Sequence, residues 1–123
     1  MQAMETKRVL VIDDEDIVRM SCERSLSGEY AVNTAASGQE GLDMFSKENY
    51  DLVLVDLKMP AMNGIEVLMN IKRQKPEQKV MVMTGYDTEE HIEQSMSSGA
   101  AMYMEKPFTP DMLLNRVKEA LEK

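Results

Sequence analysis

Carboxylates stand directly after two short apolar runs. Asp13, Asp14, Glu15 and Asp16 follow Val9-Leu10-Val11-Ile12, and Asp56 follows Leu52-Val53-Leu54-Val55. Two further runs end in Thr84-Gly85 and in Met104-Glu105-Lys106-Pro107-Phe108. Unit charges about 4 Å apart repel by roughly 4 kcal/mol at an effective dielectric of ~20, so Asp13, Asp14 and Asp56 brought together call for a cation. Oxygen donors, with no Cys/His metal spacing and the only histidine at position 91, favour a hard ion, Mg²⁺ before Ca²⁺ or Mn²⁺. Thr84 adds a hydroxyl, Gly85 an approachable N–H and Lys106 a point charge, which together suit a phosphoryl group. Asp56 is the candidate nucleophile, because it ends its strand singly and carboxylates form aspartyl phosphates, whereas the adjacent pair Asp13-Asp14 suits a shared ion. Simpler readings stand beside these: Asp14 and Asp16 as caps of the first helix, the full account for Asp16, Thr84 as a turn residue, and Lys106 as a solvated side chain.

The elements that must position these groups alternate. Val9 to Ile12, Leu52 to Val55, Val80 to Met83 and Ala101 to Met104 are apolar with little alternation, as in parallel strands buried on both faces. Tyr30 to Thr34 alternates like an edge strand. Helical periods lie between: Ile17, Met20 and Ser21; Leu42 and Phe45; Ile65, Leu68 and Ile71; Ile92 and Met96; Leu113, Val117, Ala120 and Leu121. Ser37 with Glu40, Asn63 with Glu66, Asp87 with Glu90, and Thr109 before Pro110 read as helix starts. Gly28 and Gly99 read as left-handed stops. Five βα units imply a doubly wound, flavodoxin-like parallel sheet in the order 2-1-3-4-5, with helices on both faces. Its switch point lies between strands 1 and 3, where the acids are.

Composition narrows the partners. The chain has 123 residues, 14 Lys and Arg against 22 Asp and Glu, and a net charge of −8. That length suits one domain, expected at 8–123 behind a tail at 1–7. The charge repels phosphate backbones, so direct nucleic-acid binding is not expected. No apolar run approaches the ~18 residues of a spanning helix, and no signal-peptide pattern appears. A lone cysteine, Cys22, suits a reducing compartment, so a cytoplasmic protein is expected. Of the 13 methionines, Met81, Met83, Met102 and Met104 read as core, while Met59 and Met62 are the surface candidates. Cys22 reads as a small core residue and His91 as an exposed one.

The set Asp13-Asp14, Asp56 in Asp56-Leu57-Lys58-Met59-Pro60, Thr84-Gly85, Tyr103 and Lys106-Pro107-Phe108, in this order, resembles the receiver domain of two-component response regulators over about residues 8 to 123. The resemblance implies that Asp56 takes a phosphoryl group from a phosphohistidine on a sensor histidine kinase or a histidine phosphotransfer domain. It implies Mg²⁺ held by Asp13, Asp14, Asp56 and the backbone carbonyl of Lys58. Thr84 and Lys106 would contact phosphoryl oxygens, with the N–H groups of Lys58 and Gly85. Thr84 and Tyr103 would switch the face of the fourth helix, fifth strand and fifth helix, which is also a candidate homodimer surface. A cis Lys106-Pro107 bond is implied, and Lys58 and Tyr86 would tune the phosphoryl lifetime.

The protein is then a phosphoacceptor switch rather than an enzyme, acting only in its own phosphotransfer and autodephosphorylation. Its output partner is unspecified, and it is either a stand-alone regulator or a receiver from a longer protein. Two alternatives remain. A haloacid-dehalogenase-like Mg²⁺ phosphatase also uses an aspartyl nucleophile, but wants an acid where Lys58 stands. A receiver-like module binding without phosphate chemistry would not need the full motif set.

Overall fold

Successive residues along a strand point alternately to opposite sheet faces, so the central strands feed two cores. The computed structural model describes residues 6–85 and 88–122. Its elements are β1 (Arg8–Ile12), α1 (Asp16–Leu26), β2 (Ala31–Ala35), α2 (Gly38–Lys47), β3 (Leu52–Asp56), α3 (Gly64–Gln74), β4 (Val80–Thr84), α4 (Glu89–Ser97), β5 (Met102–Glu105) and α5 (Pro110–Glu122). The strands are parallel in the order β2-β1-β3-β4-β5, the doubly wound order that the alternation implied.

One core lies between Leu10, Ile12, Val53, Val55, Val80 and Val82 and the buried residues of α2 and α3, including Phe45, Leu68 and Ile71. The other lies between Val9, Val11, Leu52, Leu54, Met81 and Met83 and the inner stripes of α1 and α5. Met102, Met104 and Cys22 belong to this second core, as their sequence contexts indicated. No helix among the described residues is long and apolar enough to cross a membrane.

Several local expectations are corrected. β5 does not run buried on both faces: Tyr103 and Glu105 are exposed while Met102 and Met104 are buried, because β5 is an edge strand. On α1 the core stripe is Val18, Cys22 and Leu26, at spacing four, which turns Ile17 (81% exposed) and Met20 to the outside. Met96 faces outward too, so α4 buries only Ser95. Met59 is buried and Met62 packs against the same core, the one that holds the inner residues of α2 and α3. α1 starts behind Glu15, whose side chain makes no cap bond, and Asp16 is its first helical residue rather than its cap. The cap of α4 is Thr88, which accepts from the N–H of His91; Asp87 lies outside the described residues. Ser37, Asn63 and Thr109 do accept first-turn N–H groups at α2, α3 and α5. Gly99 has a positive φ of 112° and Gly28 does not, so only the first of these is a left-handed stop.

Candidate functional site

Register brings the acids together. Ile12 pairs with Val55, so Asp13 and Asp56 leave neighbouring strands at the same sheet edge. Val55 pairs with Val82 and Met83 with Met104, which places Thr84 and then Lys106 on that edge as well. Backbone bonds extend the pattern beyond the strands: the Asp13 N–H donates to Ala35 O at 3.1 Å, the Leu57 N–H to Met83 O at 3.0 Å and the Lys106 N–H to Thr84 O at 2.6 Å. The Lys106–Pro107 bond is cis, as the resemblance implied.

Lys106 reaches into the acids rather than into solvent. Its Nζ lies 2.7 Å from Asp13 Oδ2, 3.1 Å from Glu15 Oε1 and 3.4 Å from Asp56 Oδ1. Asp13 is fully buried and Asp56 is 4% exposed. Burial, opposed by Lys106 and the Glu15 N–H, holds the Asp13 carboxyl above its ordinary range. Burial and then the Asp13 charge push Asp56 up to about 6, against the pull of Lys106 and of the Lys58 N–H. For Lys106 burial acts downward, but the hydrogen bond and charge of Asp13, then Asp56 and Glu15, outweigh it and the ammonium is held above its usual range. The lysine is therefore charged, and the two buried carboxyls have unequal surroundings. Above them opens a cleft of about 710 Å³ lined by Glu15, Ile17, Val18, Lys58, Pro107 and Phe108 among others.

Carboxylate oxygens of Asp13, Glu15 and Asp56 fall within 4.8 Å of one another. Two of the three are buried and all are oxygen donors, so the residues fit a hard divalent cation. Asp14 is exposed on the same loop and outside this grouping. Thr84 is 1% exposed at the end of β4, and Tyr103 is 40% exposed on β5. Lys58 is exposed at the cleft. Tyr86 lies outside the described residues.

Three residues that support this edge had weaker signals in the sequence. Glu15 was hidden within an acidic run. Arg19 is readable only as an i,i+3 partner of Asp16, yet its guanidinium also donates to the Asp13 carbonyl at 2.6 Å. Gly64 follows the Asn63 cap; a Cβ there would collide with the Asp56 carbonyl oxygen and lie 2.6 Å from Leu57 Cα. Only a glycine lets α3 start directly beneath the strand end that carries Asp56, where its N–H donates to Leu57 O at 2.9 Å.

A five-stranded 2-1-3-4-5 sheet with an acid, hydroxyl and lysine edge defines a class, and the chain belongs to it: residues 9–118 match the response regulator receiver domain family. Phosphorylation-dependent signalling is that family's role. Among particular relatives, the chain is 35% identical over 119 residues to sporulation initiation phosphotransferase F of Bacillus subtilis, covering 96% of each. It is 34% identical over 117 residues to response regulator MprA of Mycolicibacterium vanbaalenii, covering 94% of this chain and 51% of that one. The chain thus spans about half the length of MprA. Its structure superposes with a TM-score of 0.92 on a CheY-like response regulator receiver domain protein from Methanospirillum hungatei, at 36% identity, covering 96% and 95% of the two chains.

Proposed function

We propose that Asp56 is the phosphoacceptor of this receiver, and that the donor is a phosphohistidine on a sensor histidine kinase or a histidine phosphotransfer domain. The observation that carries the reading is the single ammonium of Lys106 held among Asp13, Glu15 and Asp56 beneath an open cleft. An Asp56 oxygen attacks phosphorus, the P–N bond breaks, and its electron pair returns to the imidazole nitrogen, which takes a proton from solvent. Lys106 then has two anions to serve, the Asp13 carboxylate and a phosphoryl oxygen, and its fixed charge favours the more crowded transition state. The Thr84 hydroxyl and the N–H groups of Lys58 and Gly85 hold the remaining oxygens.

Asp13 and Asp56, with the Lys58 carbonyl and the charge of Asp14, would hold Mg²⁺, and the grouping of Glu15 with the first two makes it a further ligand candidate. When bound, the ion neutralises the acid cluster and the incoming phosphoryl oxygens. Lys58, exposed at the cleft, would obstruct an attacking water and slow autodephosphorylation. The signal is read on the α4-β5-α5 face. Thr84 moves toward the new anion, Tyr103 turns inward from its exposed position, and α4, which buries only Ser95, shifts with them. Incubating the chain with Mg²⁺ and acetyl phosphate tests the reading. A mass increase of one phosphoryl group, mapped to Asp56 and absent from Asp56→Asn, is expected. Steady turnover of phosphomonoesters would instead favour a phosphatase, and no adduct a binding module.

A further inference from the structure

We infer that Arg19 is a positioning residue of the site, setting the Asp13 carboxylate through the β1–α1 loop; this rests on the reading of Asp13 as a metal-holding group. The ordinary device for starting a helix is missing here. Glu15 occupies the cap position of α1 in extended geometry, with φ −90° and ψ 120°, but its side chain caps no N–H. Its carboxylate is turned to Lys106 instead.

Arg19 does the closing from one turn inside the helix. One guanidinium nitrogen donates to the carbonyl of Asp13 at 2.6 Å and the other to the carboxylate of Asp16, so the end of β1 and the first residue of α1 are tied by a single planar group. The side chain is only 16% exposed, which separates it from a solvated surface pair. A guanidinium presents its donors in a rigid fork, whereas an ammonium is a point charge on a flexible stem.

What the fork holds in place matters for the site. The Glu15 N–H donates to Asp13 Oδ1 at 2.8 Å, while Asp13 Oδ2 accepts from Lys106 at 2.7 Å. One oxygen of the buried carboxylate is thus aimed by the loop and the other by the lysine. Releasing the loop moves the Glu15 N–H, and the carboxylate turns with it. The Arg19 guanidinium reaches the site through the Asp13 carbonyl that it holds, and its backbone N–H adds a helical bond to the Glu15 carbonyl at 3.1 Å, so its influence on the site runs through this loop.

The experiment uses the full chain, ¹⁵N-labelled, first in chelator and then titrated with MgCl₂, for wild type, Arg19→Met and Arg19→Lys. In Arg19→Met the Glu15 amide should exchange with solvent at least about 10-fold faster, with Leu54 and Val117 amides unchanged. Mg²⁺ affinity should fall roughly 10-fold, the lower end of what loss of an outer-shell partner costs, and Arg19→Lys should fall between the two. A Glu15 amide and a Mg²⁺ affinity both as in wild type would overturn the inference. So would a parallel loss of protection at Glu15, Leu54 and Val117, which is general destabilisation. If Arg19→Met does not fold, Arg19→Lys, which keeps charge and stem, carries the same readouts. Failure of the wild type to bind Mg²⁺ would reject the metal reading, while the chelator-stage exchange still decides the role of Arg19 in holding the loop.

Discussion

Two helices flank the edge strand β5, and they are held very differently. α5 buries Leu113, Val117 and Ala120 completely against Met102, Met104 and the inner strands. α4 buries only Ser95, whose hydroxyl bonds back to Ile92 O within the same helix, and leaves Met96 38% exposed. Each fully buried aliphatic side chain contributes about 1.5–3 kcal/mol, so α5 is welded to the sheet and α4 is not. The contrast teaches how one domain serves as scaffold and as switch. Phosphorylation at Asp56, as proposed, should shift α4, which has few buried anchors, and leave α5 in place.

Four predictions break or sharpen this contrast. The largest effect is chemical. Asp56→Asn should abolish phosphoryl incorporation, and acetyl phosphate with Mg²⁺ should then leave the exchange rates of α4 amides unchanged, whereas in wild type those rates change and α5 amides do not. A response confined to α5 would reverse the assignment of roles.

Next comes packing. Leu113→Ala should cost about 2–5 kcal/mol by urea unfolding, whereas Met96→Ala, at an exposed position on α4, should stay within about 0.5 kcal/mol. Equal costs would mean that α4 is as firmly anchored as α5.

The third is electrostatic. Asp56 has a raised carboxyl pKa of about 6 in the folded chain against an ordinary ~3.9, so its contribution to stability is complete below about pH 4 and is lost as pH rises through about 6. In chelator, Asp56→Asn should therefore be more stable than wild type at pH 7.5, by roughly 1–3 kcal/mol, with the gap closing toward pH 4. A gap that widens on acidification would refute the assignment. The smallest effect is kinetic: Lys58→Ala should shorten the phosphoryl half-life by a few-fold, followed by loss of the mass adduct, with the urea midpoint unmoved.

Much of this arrangement was written in the chain at the level of strands. Val9 to Ile12 and Leu52 to Val55 are apolar because both faces are covered, and the carboxylates after them end up adjacent because parallel register aligns the strand ends. Phase and exposure were harder to read. Ile17 looked like a core residue because a helix with apolar residues at 17, 18, 20, 22 and 26 satisfies more than one stripe, and only packing against α5 and the sheet chooses Val18, Cys22 and Leu26. β5 carries apolar residues on both faces, and nothing local says that it stands at the edge. Met59 is buried although it lies in the loop after β3, outside any periodic element, so periodicity does not record its burial. The contribution of Glu15 depends on the direction of its side chain, which follows from Lys106, 91 residues away.

Cys22 has a practical corollary. It is fully buried, and burial pushes its thiol up to about 12, so the reactive thiolate is almost absent at neutral pH. The natural chain is consequently a nearly silent background for maleimide chemistry. A cysteine introduced in place of Met96 would carry a fluorophore or spin label on α4 alone, giving a direct optical or magnetic record of its displacement without removing the native sulfur.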